Sequence, residues 1–267
     1  MNTKLFDSSI RSIVRASVES FSEGFKGRHI GEKDNPDGTI NSKIHNVFIA
    51  VLGEEIQYYS ALVRSFDSTF GNMLERMAIN IARLSYDVKE EVNGTISSEQ
   101  TTQIARILEE YKRRVKKPEV YDYQILREKK EGKSVNKRHE SDYYLVDRDN
   151  DIHHLIELKI GGDLDNKKAR SEKEALLEQF AILSNTLGKD KEIHIHFATA
   201  YNRYGEDNEW KQMRVRQYFA NDELLISKDF WNFICKSNEG YKVMLEEYKN
   251  CASIIKDALR DIKDVYL

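Results

Sequence analysis

Proline is nearly absent from the chain: Pro36 and Pro118 are the only two in 267 residues, beside 13 glycines. A multi-strand all-β sandwich needs frequent turns, and these residues make turns, so their scarcity argues against that class. Cysteine is equally scarce. Cys235 and Cys251 cannot build a disulfide framework or a four-cysteine zinc site, and they are expected as reduced thiols in a cytoplasmic, prokaryotic protein. No apolar run approaches the ~18 residues of a transmembrane helix. The opening MNTKLFDSSIRSIVRASV lacks the apolar core of a secretory signal, so no membrane association or visible export is expected. What is present is 40% hydrophobic, 10% aromatic and 33% charged residues, which is too apolar for a mostly disordered chain. The length suits one compact domain with a helical appendage.

A net charge of -3 conceals an asymmetry. Between Lys112 and Arg138 eleven basic residues face four acids, a local excess of seven positive charges. A basic stretch in a mildly acidic protein suggests a polyanion on one face; a solvated helix end and loop is the ordinary alternative.

The first 110 residues read as helical. Phe6, Ile10, Ile13, Val14, Val18 and Phe21 recur at three- and four-residue steps, as do Met73, Leu74, Met77, Ile81 and Leu84. Gly27 to Ser42 reads as a loop. Ser97 or Ser98 can cap a helix that buries Ile104, Ile107, Leu108 and Tyr111 and ends before Pro118. The period then changes. Tyr143–Val146 and Ile152–Ile160 read as strands joined at Asp149-Asn150-Asp151. A helix follows from about Asn166 to Leu187, closed by Gly188. Glu192–Tyr201 alternates like a strand. Helices return around Trp210–Phe219, around Phe230–Cys235 and from Tyr241. This order predicts a small α/β core inside a helical shell, all within one domain. Residues 1–117 form its helical beginning, residues 118–200 the α/β core and residues 201–267 the helical end.

The second strand carries the most informative residues. Alternation puts His153, Leu155, Glu157 and Lys159 on one face. Asp142 lies on the partner strand. Depending on the turn it sits opposite Lys159, opposite Glu157, or opposite Leu158 and diagonal to both, always within reach of the pair. Two carboxylates can hold a hard divalent cation such as magnesium, which polarises a phosphoryl oxygen and acidifies a bound water. A lysine beside them can orient that water. An exposed strand salt bridge is the alternative. The flanking Leu155, Ile156, Leu158 and Ile160 argue for a buried strand, where a Glu and a Lys need a reason to be present.

Asp142, a hairpin and Glu157-Leu158-Lys159, followed by a helix and a strand, resemble the PD-(D/E)XK motif of restriction nucleases. Ser141 stands where the motif has proline. The segments IGGDLDNKKARSEKEALLEQFAIL and RSFDSTFGNMLERMAINIA resemble TdeIII-type type II restriction endonucleases, over roughly Val63 to Ala200. The resemblance implies an α/β (α+β) PD-(D/E)XK core with a mixed central sheet in a mostly helical shell. It implies sequence-specific double-strand cleavage of DNA, with GGNCC as the site. Asp142 and Glu157 would bind one or two Mg2+ ions and Lys159 would orient the nucleophile. A palindromic site implies a homodimer, and host protection implies pairing with a DNA methyltransferase. In many such nucleases an acid on the helix before the hairpin joins the metal shell. Glu75 is that candidate here, an exposed helical glutamate being the default. A repair or recombination nuclease of the same core and a non-catalytic helical DNA-binding protein are the competing readings.

Candidate DNA contacts are Lys129, Lys130 and Lys133 in the basic stretch, and Lys167, Lys168, Arg170 and Lys173 near the start of the following helix. Cations there oppose the helix dipole, so local stability does not explain them. Gln179 is a weaker candidate. His194 and His196, with His153-His154 on a neighbouring strand, raise a zinc alternative without the usual ligand spacing.

Overall fold

The computed structural model describes residues 3–128, 130–188 and 190–267, with all their side chains except those at 3 and 140–142. The chain divides into two compact units, one formed by Met1–Ile81 with Glu239–Leu267, the other by Ala82–Asn238.

The first unit is helical: α1 (Thr3–Gly31), the short α2 (Val47–Ala50), α3 (Glu54–Ala82) and α8 (Gly240–Tyr266). α1 and α8 run side by side in the same direction, tied by Arg11–Glu246 at 2.8 Å, Arg15–Glu247 at 2.7 Å and Lys26–Asp261 at 3.1 Å. Phe21 and Phe25 of α1 pack on Phe66 of α3. The sequence suggests a loop from Gly27, but α1 continues to Gly31. His29 lies wholly buried one turn beyond Phe25, and burying that stripe holds the helix past its glycines.

The second unit contains a five-stranded sheet in sequence order: β1 (Tyr86–Ser97), β2 (Ser134–Asp147), β3 (His153–Leu158), β4 (Ile193–Thr199) and β5 (Leu224–Ile226). β1, β2 and β3 are antiparallel neighbours; β3, β4 and β5 are parallel, so the sheet is mixed. α5 (Asn166–Thr186) carries the chain from β3 to β4 on one face. There it packs with α4 (Ser98–Lys112) and the short α6 (Met213–Arg216) over Leu155, Ile195 and Phe197. α7 (Lys228–Cys235) covers the other face through Phe230 on Tyr143 and Phe233 on Tyr86 and His154.

β1 lies where the helical pattern is expected to continue. Val88, Val92 and Ile96 are four apart, a spacing that satisfies a helix face and the alternate positions of a strand equally. The β-branched residues and the extended Gly94 decide for the strand. β2 is also longer than the four residues its apolar pattern marks, because Ser134–Asn136 are exposed and carry no such pattern. The helix expected over Trp210–Phe219 is reduced to Met213–Arg216. Ser97 caps α4 in a reciprocal box with Gln100. Gly188, at φ 92°, follows the end of α5. Among the described residues no helix is long and apolar enough to cross a membrane.

Candidate active site

The β2–β3 hairpin turns through Arg148–Asp151. The Asp147 carboxylate accepts the N–H of Asp149 at 2.8 Å and of Asn150 at 3.3 Å, while Asp151 takes a left-handed φ of 55°. Burial pushes the Asp147 carboxyl up, but Lys236 and those N–H donors outweigh it and hold it at about 2. The turn fixes the register: Tyr143 opposes Ile156 and Tyr144 opposes Leu155. Position 142 is the next residue of β2 beyond these pairs, where the pairing of β2 with β1 shifts register between Tyr144 and Glu140. The Asp142 side chain lies outside the described residues.

β3 is buried along its length. Leu155, Ile156 and Leu158 are 0–1% exposed. Glu157 and Lys159, at its end, keep a partial opening to solvent. The Lys159 ammonium is ion-paired with Glu157, and its Nζ is 3.3 Å from Glu172 Oε1 of α5. Two carboxylates therefore converge on one cation at the mouth of a buried strand. Glu172 is absent from the sequence-based candidates, because its contact with Lys159 is made only by the packing of α5 against the sheet. These oxygens are the hard donors a Mg2+ ion takes. Among the described residues no three His, Cys, Asp or Glu side chains are grouped to hold a metal.

Glu75 stands on α3, in the helical unit. Lys129 lies outside the described residues. Lys130 donates to the carbonyl of Ser184 near the end of α5, at 3.0 Å, and so serves the fold. Lys133, Lys167 and Lys168 are exposed, and Arg170 is half-buried. Lys173 corrects the DNA-contact reading. It is 0% exposed, ion-paired with Glu223 and stacked between the rings of Tyr123 and Phe219, at 5.0 and 4.9 Å. It falls on the apolar stripe of α5 between Ala169 and Leu176–Leu177, where a charge survives only with a partner. Gln179 is buried likewise, at 3%.

His154 and His196 pack against Phe233. His154 Nδ1 lies 3.3 Å from His196 Nε2, and His194 stacks on His154. Burial, helped by His194, pulls His154 down to about 4, and burial pushes His196 well below its ordinary value. Both are neutral core side chains at pH 7, and His153 bonds Tyr144 through Nδ1 at 2.8 Å.

Beyond Lys159 the chain is braced against the segment after β4. The carbonyl of Ile160 accepts N–H from Ala200 at 3.1 Å and Tyr201 at 3.4 Å. Gly161 leaves room for the Tyr201 hydroxyl, and Gly162, at φ 65°, for Thr199 and Trp210. Asp163 takes Arg203 at 2.7 Å and Gln212 at 3.0 Å.

A family model described as Type II restriction endonuclease, HinfI, matches residues 6–252. No curated protein and no solved structure matches the chain.

Proposed function

We propose, for a chain that belongs to the HinfI family of type II restriction endonucleases, that Asp142, Glu157 and Lys159 carry Mg2+-dependent hydrolysis of a DNA phosphodiester in a PD-(D/E)XK site. Membership makes the protein a site-specific DNA endonuclease of a restriction system. The observation that carries the finer reading is the convergence of Glu157 and Glu172 on the Lys159 ammonium at the end of a buried strand, with position 142 on the neighbouring strand β2.

Asp142 and Glu157 would hold one or two Mg2+ ions, which supply Lewis acidity at the phosphoryl oxygen and a water of lowered pKa. Lys159 donates a hydrogen bond to the attacking water or a non-bridging oxygen, and its charge offsets the charge that develops there. With Glu157 committed to a metal ion, Glu172 would keep the Lys159 ammonium in place. In-line attack leaves 5'-phosphate and 3'-hydroxyl ends. Lys133, Lys167, Lys168 and Arg170 supply backbone phosphate contacts.

A palindromic site calls for two copies of this centre, and we read the enzyme as a homodimer working beside a protective methyltransferase in a prokaryotic cytoplasm. The helical unit supports this with an exposed apolar strip: Val47, Phe48, Val51, Leu52, Ile56 and Val63 are 45–82% exposed. Surfaces of this kind are normally covered. The GGNCC site came with the TdeIII resemblance, and the family matched is HinfI, so the test reads the site without assuming it. Plasmid DNA is digested with Mg2+ and with EDTA, and the ends are sequenced. Discrete fragments with one common end sequence, lost in EDTA, are expected. A smear or structure-selective nicks would point to a repair nuclease, and binding without cutting to a non-catalytic protein.

A further inference from the structure

The segment between β4 and α6 is a candidate for reading bases. Tyr201, Arg203 and Tyr204 are exposed on it, whereas Asn202, Trp210 and Gln212 are buried anchors. The loop is bonded to itself. Asn202 donates to the Asn208 carbonyl at 2.8 Å and accepts the Tyr204 N–H at 3.0 Å; Asn208 donates to the Tyr204 carbonyl at 2.6 Å. Its outer limb is pinned to the turn after β5, where the Ser227 hydroxyl donates to the Glu206 carboxylate at 2.6 Å. Ser227 holds a φ of 49°, a cost the surrounding bonds must offset.

This rigid loop stands beside the segment that begins at Lys159. Tyr201 rests on Gly161 and Trp210 on Gly162. Arg203 is the side chain so presented. Its Nη1 lies 2.7 Å from Asp163 Oδ2, its guanidinium carbon 5.9 Å from the centre of the Tyr204 ring, and Gln212 holds the other oxygen of Asp163 at 3.0 Å. The contact of Asp163 with one guanidinium nitrogen restricts the rotation of Arg203 and leaves its other N–H donors available. Such an orienting partner is unnecessary for a phosphate contact, which any flexible cation makes. A fixed fork matches the two acceptors, O6 and N7, on the major-groove edge of guanine.

We propose that Arg203, oriented by Asp163 and Gln212, is a specificity-determining residue that reads a guanine of the recognition site. The proposal rests on the endonuclease reading above and adds to it a residue and the base it recognises.

The test is cleavage of a duplex library with a randomised recognition site, sequenced after partial digestion, together with the salt dependence of binding to the uncut site in EDTA. Arg203→Ala and Arg203→Gln are expected to lose selection for guanine at one position of each half-site and to cut the wild-type site about 5- to 150-fold more slowly, the range one bidentate base contact carries. Selection at the other positions stays. Asp163→Asn, which leaves Arg203 in place but loosens it, is expected to give a smaller loss at the same position. Unchanged base choice in a folded, active Arg203 variant overturns the proposal. So does uniform weakening on all sequences with the slope of log K against log salt reduced by about 0.9, the mark of a phosphate contact. A wild-type protein that cuts no DNA overturns the endonuclease reading and this proposal together, a different result from an active enzyme whose base choice ignores Arg203.

Discussion

Lys173→Met separates two roles that one lysine cannot hold at once. Its ammonium has no solvent exposure, pairs with Glu223 and lies on the faces of Tyr123 and Phe219. Burial lowers its pKa, while Glu223 and Asp122 oppose the shift. Methionine keeps the volume, so little cavity is created. The loss is electrostatic. Glu223, 1% exposed, is left with a buried charge whose other donors, the N–H of Ala220 at 2.7 Å and the Tyr123 side chain, are neutral. Breaking one side of such a pair costs about 3–5 kcal/mol. In a cooperative unit of roughly 150 residues each kcal/mol moves Tm by ~2–4 °C, so a fall on the order of 10 °C is expected. Adding Glu223→Gln removes the stranded charge and keeps an acceptor for Ala220, and the double variant should recover most of the loss. Thermal and urea unfolding by circular dichroism give both numbers, and DNA binding over a salt series gives a third. A Lys173→Met protein within about 1 kcal/mol of wild type, with a salt slope reduced by about 0.9, would refute the buried-pair reasoning and return Lys173 to the DNA.

Asp142→Ala, Glu157→Ala and Lys159→Ala are each expected to reduce single-turnover cleavage by ~10^3-fold or more and to keep DNA binding; near wild-type cutting by one of them removes that residue from the mechanism. Glu172→Ala should slow cleavage less than any of these three, and an equal or larger loss would make it a metal ligand. His154 is held at about 4 by burial in the folded state, against an unfolded value near 6.5. Its contribution is thus present above pH 6.5 and lost as pH falls toward 4, by roughly 2 kcal/mol at pH 5; His154→Phe should flatten stability between pH 7 and pH 5, and an unchanged slope would show the ring protonates freely. Lys130→Ala should cost about 1 kcal/mol of stability through its bond to the Ser184 carbonyl and leave the DNA salt slope alone, whereas Lys133→Ala should do the reverse.

How much of this was legible in the sequence depends on what each residue's neighbours have in common. Ser97, Gly188 and the faces of β3 are local signals, and the structure repeats them because a cap, a left-handed turn and strand alternation are decided within a few residues. β1 was not legible, since Val88, Val92 and Ile96 fit two periods and only pairing with β2 chooses between them. Glu172 could not be joined to Lys159 by spacing, because the contact depends on how α5 packs against the sheet. Arg203 lies in a loop with no period at all; its place is set by Asp163, forty positions earlier, and by Gln212. Lys173 is a different case, because its signal was present. It shares the stripe of Ala169, Leu176 and Leu177, and charge counting along KKARSEKE overrode the helical period.

That eight-residue run shows why charge alone cannot divide reactive from structural ions. Consecutive helical residues are turned about 100° from one another. Glu172 therefore leans to Lys159 at the end of β3, while Lys173 enters the core and meets Glu223 beside β5. The buried pair fixes the rotation of α5 about its own axis, since any roll would drag an ammonium from its partner. The residue before it is held by the same constraint, and so Glu172 reaches Lys159 from a helix that cannot turn. Lys167 and Lys168, more than a turn earlier, stay in solvent on the same rod. One helix thus carries a core ion pair, a carboxylate for the candidate centre and exposed cations, and the 3.6-residue period assigns each its direction.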